Sequence, residues 1–104
     1  MLNTMDIREL QQLNTKANYH WFDADTLRFF RSRYARTATV VGRKAYFVSS
    51  EQFVNLARGQ VDARRYSVRV CDLDSGKIDT VGEFQQYATG AEARAVIRAT
   101  AIAS

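Results

Sequence analysis

His20 stands three residues before Asp23 and five before Asp25, and a histidine with a carboxylate in reach is the minimum for acid–base chemistry. Both carboxylates have simpler uses. Asp23 is a good helix N-cap and Asp25 suits the positive end of the same helix, so His20 reads as a hydrogen-bonded structural side chain. With one histidine and one cysteine in the chain, a His/Cys metal cluster is excluded. Asp72, Asp74 and Glu83 match positions one, three and twelve of a calcium loop. Gly76, however, falls at position five, and Lys77 occupies the sixth position, which needs glycine. A hairpin turn accounts for these residues better. Cys71 lies between Val70 and Asp72 in a strand pattern and reads as an inert buried thiol. The five glycines are scattered and build no phosphate loop. The sequence predicts no enzyme, no metal site and no cofactor.

Binding chemistry is better represented. Six of the twelve aromatic residues fall within residues 19–34, interleaved with Arg28, Arg31 and Arg33. Between Thr26 and Ser50 there is no acidic residue, and Arg28, Arg31, Arg33, Arg36, Arg43 and Lys44 give that segment a charge of +6. Acid-rich ends flank this basic middle, and the whole chain carries +4. Arginines and aromatics suit a recognition surface for carboxylates or phosphates, and they equally suit a small core with a solvated rim. The candidate partner-binding residues are Phe29 with Arg28, Arg31, Arg33 and Arg36, and Arg43 with Lys44 as a second patch. Arg58, Arg64, Arg65 and Arg69 add charge around the centre of the chain.

These side chains must be positioned by readable elements. Residues 4–16 have the spacing of a helix, capped by Asn3 or Thr4, with Leu10, Leu13 and Ala17 on one face. A second helix is predicted over residues 24–33, with Asp23 as N-cap and a staple between Phe22 and Leu27. On it Leu27, Phe30 and Tyr34 share the core face, and Phe29 points away beside Arg33. Two readings of Phe29 stay open: packing under the N-terminal segment, or an exposed apolar anchor. Strands are predicted at Thr37–Val41 and residues 45–49 around the turn Gly42-Arg43-Lys44. A short helical turn opens at 51–56 and a loop covers 57–63. Residues 66–71 alternate as a half-buried strand, and Asp74-Ser75-Gly76-Lys77 turns into a partner strand at 77–81. Thr89 with Glu92 marks a capping box for a last helix through about Ala101, with Ala93, Val96, Ile97 and Thr100 inward. The expected fold class is α+β in the order ααββββα: an antiparallel sheet of about four strands with three helices on one face. Strand Thr37–Val41 is expected at the edge, where Arg36 and Arg43 discourage open pairing.

A chain of 104 residues, 46% apolar and 25% charged, is read as one domain, residues 1–104. No run reaches the 18 or so apolar residues of a membrane span, and the start lacks a secretion-signal core. A single cysteine fits a reducing compartment, so the expectation is a cytoplasmic protein without a membrane partner. The runs YHWFDADTLRFFRSR, YFVSSEQF and RRYSVRVCDLDSGKIDTVGEFQQYAT together resemble a small, uncharacterised protein family encoded by bacteriophages and mobile elements. The resemblance covers about residues 19–93. It carries over no activity and no functional residue, and implies a context in which small proteins bind and inhibit or redirect a host component, defence complexes included. The functional expectation is therefore non-enzymatic binding of a host protein or nucleoprotein complex through the basic aromatic surface. The alternative is a nucleic-acid-binding module that uses the same arginines; oligomeric state is left open.

Overall fold

The computed structural model describes residues 3–19 and 30–103. Strand β1 (Asn3–Asp6) leads into helix α1 (Ile7–Lys16); β2 (Phe30–Tyr34) and β3 (Thr37–Val41) precede the long β4 (Lys44–Asn55). A 3-10 turn at Leu56–Arg58 leads to the two-residue β5 (Gln60–Val61), then β6 (Arg65–Asp72), β7 (Ile78–Val81) and helix α2 (Gly90–Ala103). Every strand pairing is antiparallel, in the order β1-β3-β4-β6-β7, with β2 and β5 on further stretches of β4.

Local chemistry sets most of these elements. β3 and β4 close directly at Val41 and Lys44, leaving a two-residue turn whose Gly42 takes φ +61°, as that hairpin geometry requires. Asp6 caps α1 by accepting from the Arg8 N–H at 2.8 Å. Thr89 caps α2, its hydroxyl accepting the Glu92 N–H at 3.2 Å. β2 and β3 lie along one edge of β4 as a single bent strand. Tyr34 faces Ser49 and Thr39 faces Tyr46, so two extra residues bulge out between them. At that bulge the Ala35 N–H donates to Val48 O and the Arg36 carbonyl accepts the Ile7 N–H, both at 2.9 Å.

The two helices cover opposite faces. One face carries Ala38, Ala45, Phe47, Cys71 and Ile78, packed under Leu10, Leu13 and Ile7 of α1. The other carries Val68, Tyr46, Val48 and Val81, packed under Ala93, Val96 and Ile97 of α2. The expected class is corrected accordingly: among the described residues the sheet has seven strands rather than about four, with two helices on opposite faces. Residues 30–33, expected to close a second helix, form β2, and residues 24–29 lie outside the described residues. Residues 51–56, expected as a helical turn, instead extend β4 to Asn55. β6 is buried on both faces because each is covered, so Ser67, Arg69 and Cys71 lie inside. Burial raises the Cys71 thiol pKa, with the Asp72 charge adding to it. β3 sits between β1 and β4 and is no edge strand.

Beyond the reach of α1, the same face becomes polar. Glu51 is 1% exposed and Arg69 7%. Arg69 Nη2 donates to Glu51 Oε1 at 3.1 Å and Arg69 Nε to Ser49 Oγ at 3.0 Å. Arg69 Nη1 reaches Thr80 Oγ1, and its guanidinium lies 5.1 Å from the Phe84 ring centre. Ser49 Oγ and Ser67 Oγ donate to the two carboxylate oxygens at 2.6 and 3.1 Å. Gln85, held at φ +59°, donates its N–H to Ser67 Oγ and its side-chain amide to the Glu51 carbonyl. The pair is thus desolvated but richly bonded, the condition under which a buried ion pair is tolerated.

Candidate functional site

On the α2 face the sheet does not fill the space beneath the helix. α2 rests on β6 and on Val48 and Tyr46 of β4, while β2 and β3 meet at the bulge of Ala35 and Arg36 along the far edge of β4. A cleft of about 430 Å³ remains between the helix and this end of the sheet. Its floor is Thr37, Thr39, Tyr46, Val48, Ser50 and Tyr66, its helical wall Arg94, Ile97 and Arg98, and its far wall Arg33. Among the described residues, none that lines the cleft is a carboxylate.

Spacing explains the convergence. Arg94 and Arg98 are one helical turn apart and share a face with Ile97, which is anchored in the core. Arg33 stands opposite Ser50 on β4, which puts it on the helix side of the sheet, as Arg31 is opposite Gln52. The side chains of Arg33, Arg94 and Arg98 are exposed and make no hydrogen bond or ion pair with another described residue. Arg64 stands at the lip, donating to Ser50 O at 3.1 Å and Ser50 Oγ at 2.9 Å. Burial lowers the Arg64 pKa, and the Arg33 and Arg31 charges push the same way. Cations collected without counter-charges among the described residues create a positive potential focused by the low-dielectric walls. Tyr46 and Tyr66 are half-buried, packed against the Val68–Ala93–Ile97 cluster while lining the cleft. Gly90 has no side chain where the Arg94 guanidinium and Tyr66 ring meet; a Cβ there would lie 2.9 Å from one and 3.3 Å from the other.

Among the described residues, the first expected patch (Arg31, Arg33 and Arg36) is spread from the cleft to the bulge, and the second (Arg43 and Lys44) lies apart from it. Arg33 lines the cleft and Arg31 lies beside Arg64. Arg28 and Phe29, like His20, Asp23 and Asp25, lie outside the described residues. Arg36 sits in the bulge next to the start of α1. Arg43 and Lys44 are at the other end of β4, six residues from Ser50 or about 20 Å along the strand. Arg43 is also spent on Asp74, bonding both its carboxylate oxygens. Arg94, Arg98, Tyr46 and Tyr66 were not among the candidate residues. The available signal was two arginines at i and i+4 with no acid one turn away on either side.

The Arg43 pairing has a pH signature. Hydrogen bonding and attraction from Arg43 hold the Asp74 pKa below its ordinary value of 3.8. A depressed folded-state pKa means a contribution that is present above the ordinary value and lost as pH falls through the folded one. Arg43→Ala should return the Asp74 titration, followed by carboxyl NMR, toward 3.8. An unchanged midpoint would mean the pair does not persist in solution. Asp72 is engaged differently: its Oδ1 accepts the Asp74 and Ser75 N–H groups at 2.9 and 3.2 Å, closing the β6–β7 turn.

No helix among the described residues is long and apolar enough to cross a membrane. No curated protein and no solved structure matches the chain. A family model does match, over residues 6–98, a span running from the α1 cap at Asp6 through Arg98 in the cleft wall. With nearly the whole fold inside that span, the chain belongs to the family of unknown function DUF7447.

Proposed function

We propose that this is a non-enzymatic binding protein of a bacteriophage or mobile element. In this reading it acts in the bacterial cytoplasm and engages a host macromolecular complex, a defence system among the candidates, through its arginine-rich α2 face. One observation carries the reading: Arg33, Arg94 and Arg98, from elements distant in sequence, line one cleft that has no carboxylate among its described residues. Arginines around half-buried tyrosines have the composition of interface hot spots. The sequence runs that resemble phage-encoded proteins supply the biological context.

A tagged pull-down from bacterial lysate, with and without nuclease, tests it. The expected result is a complex that survives nuclease and is lost when Arg33, Arg94 and Arg98 are each replaced by glutamate, with the melting midpoint unchanged. Capture that is indifferent to the triple charge reversal would end this reading. A second reading, direct nucleic-acid binding, is favoured by Tyr46 and Tyr66 standing in the same cleft as the arginines. It predicts nuclease-sensitive capture and an affinity that falls steeply with salt, whereas a protein interface with an apolar core depends on salt much less.

A further inference from the structure

We propose that the cleft between α2 and the β2–β3–β4 floor holds a nucleotide unit, with its phosphate on Arg33, Arg94 and Arg98 and its base against Tyr46 or Tyr66. The proposal rests on the reading of this face as the binding surface and names its ligand chemistry. The cleft volume of about 430 Å³ lies within the range of roughly 300–1,000 Å³ typical of small-ligand sites. It is too small to seat a folded partner, so whatever enters is a single projecting group or a small molecule.

Charge chooses an anion. Three guanidiniums approach from both walls, Arg64 is bonded to Ser50 of the floor, and no described residue of the lining is a carboxylate. Guanidinium forks match phosphate oxygens two at a time. The tyrosines then distinguish a nucleotide from a bare anion, because an aromatic face beside a cation supplies stacking for a base. Thr37, Thr39 and Ser50 add hydroxyls along the floor for sugar or base edges. An acidic peptide fits less well. Extended peptides bind by adding to an exposed strand edge, and β3 and β4, which supply Thr37, Thr39, Tyr46, Val48 and Ser50, have none to give. β4 is bonded to β2 and β3 on one side and to β6 on the other, and β3 lies between β1 and β4.

The same unit can arrive free or as one residue of a single strand, and two probes separate these sources. Titrations of the full chain use adenosine monophosphate, a fluorescein-labelled ten-residue oligothymidine, inorganic phosphate and a hexaglutamate peptide. Binding of the monophosphate, of the oligothymidine, or of both in mutual competition supports the proposal and identifies the source. Inorganic phosphate should compete at least about tenfold more weakly, since it lacks a base to stack. Arg94→Glu with Arg98→Glu should weaken nucleotide binding at least about tenfold without moving the melting midpoint. For the oligothymidine it should also flatten the salt dependence, the slope falling by about 0.7 for each phosphate that is no longer neutralised. Lys16→Gln, on the opposite face, should change nothing. Hexaglutamate binding as tightly as the nucleotides, nucleotide binding that survives the reversal, or no nucleotide binding at all would overturn the assignment. A nuclease-resistant protein captured through these arginines without nucleotide binding overturns this inference alone. Nucleotide binding with no captured complex overturns the host-complex reading alone.

Discussion

Glu51→Ala should destabilise the protein by about 3–5 kcal/mol, because it strands the buried Arg69 guanidinium without its counter-charge. A domain typically has only about 5–15 kcal/mol in hand, so the variant should be partly unfolded at 25 °C or melt far below the parent. Secondary losses point the same way: Ser49 and Ser67 lose their carboxylate acceptors. Replacing both partners, Glu51→Leu with Arg69→Met, should recover most of the loss, since apolar groups of similar volume carry no desolvation cost. Urea titrations of the three proteins decide the matter. If Glu51→Ala unfolds at the parent's midpoint, the pair is solvated in solution and the account of this face is wrong. If the double variant is as unstable as the single, the serine and threonine hydroxyls depend on the charges more than the pair depends on itself.

Gly76→Ala is the second severe substitution. Gly76 takes φ +78°, and a Cβ there would lie 2.7 Å from the Leu13 carbonyl oxygen and 3.2 Å from Ala17 Cβ. Backbone cannot yield as a flexible side chain can. The left-handed conformation costs roughly 1–2 kcal/mol for an alanine, and overpacking adds roughly 1–3. The β6–β7 turn would have to lift from α1, releasing the buried Asn14 side chain, whose amide donates to Gly76 O at 2.9 Å. Gly42→Ala is the internal comparison, because Gly42 has φ +61° and open space around it. It should lose only the conformational share, about 1–2 kcal/mol. Equal melting midpoints for the two variants would show that the turn does not dock on the helix.

Where sequence reading failed, the failures have identifiable causes. Phe30 and Tyr34 share a face at i, i+4 in a helix, and they also share a face in a strand, whose period is two. A five-residue run cannot distinguish the two. What decides is the unoccupied edge of β4, whose N–H and C=O groups take β2 as partner from Phe53 to Ser49. Residues 51–55 carry no breaker, and they remain strand because β2 lies against one side and β5 meets the far end on the other, before Leu56 opens the 3-10 turn. The half-buried reading of residues 66–71 assumed helices on a single face. With α1 and α2 on opposite faces, Ser67 and Arg69 go inside and need partners, which Glu51, Thr80 and Gln85 provide.

By itself the sequence determined what short-range chemistry can determine. Gly42 and the Asp74-Ser75-Gly76-Lys77 stretch place two tight turns, Thr89 opens α2, and Ala93 and Ile97 mark its inner face. It also determined that the chain's middle is basic. Only the tertiary structure decided which cations act together. Arg33 and Arg94 are 61 positions apart, and they share a cleft because α2 packs on the sheet face to which β2 presents Arg33. Arg43 is only ten positions from Arg33, yet it lies at the far end of β4 and is held by Asp74. Side-chain period is local; the face and neighbour a residue meets depend on pairings made by the whole sheet.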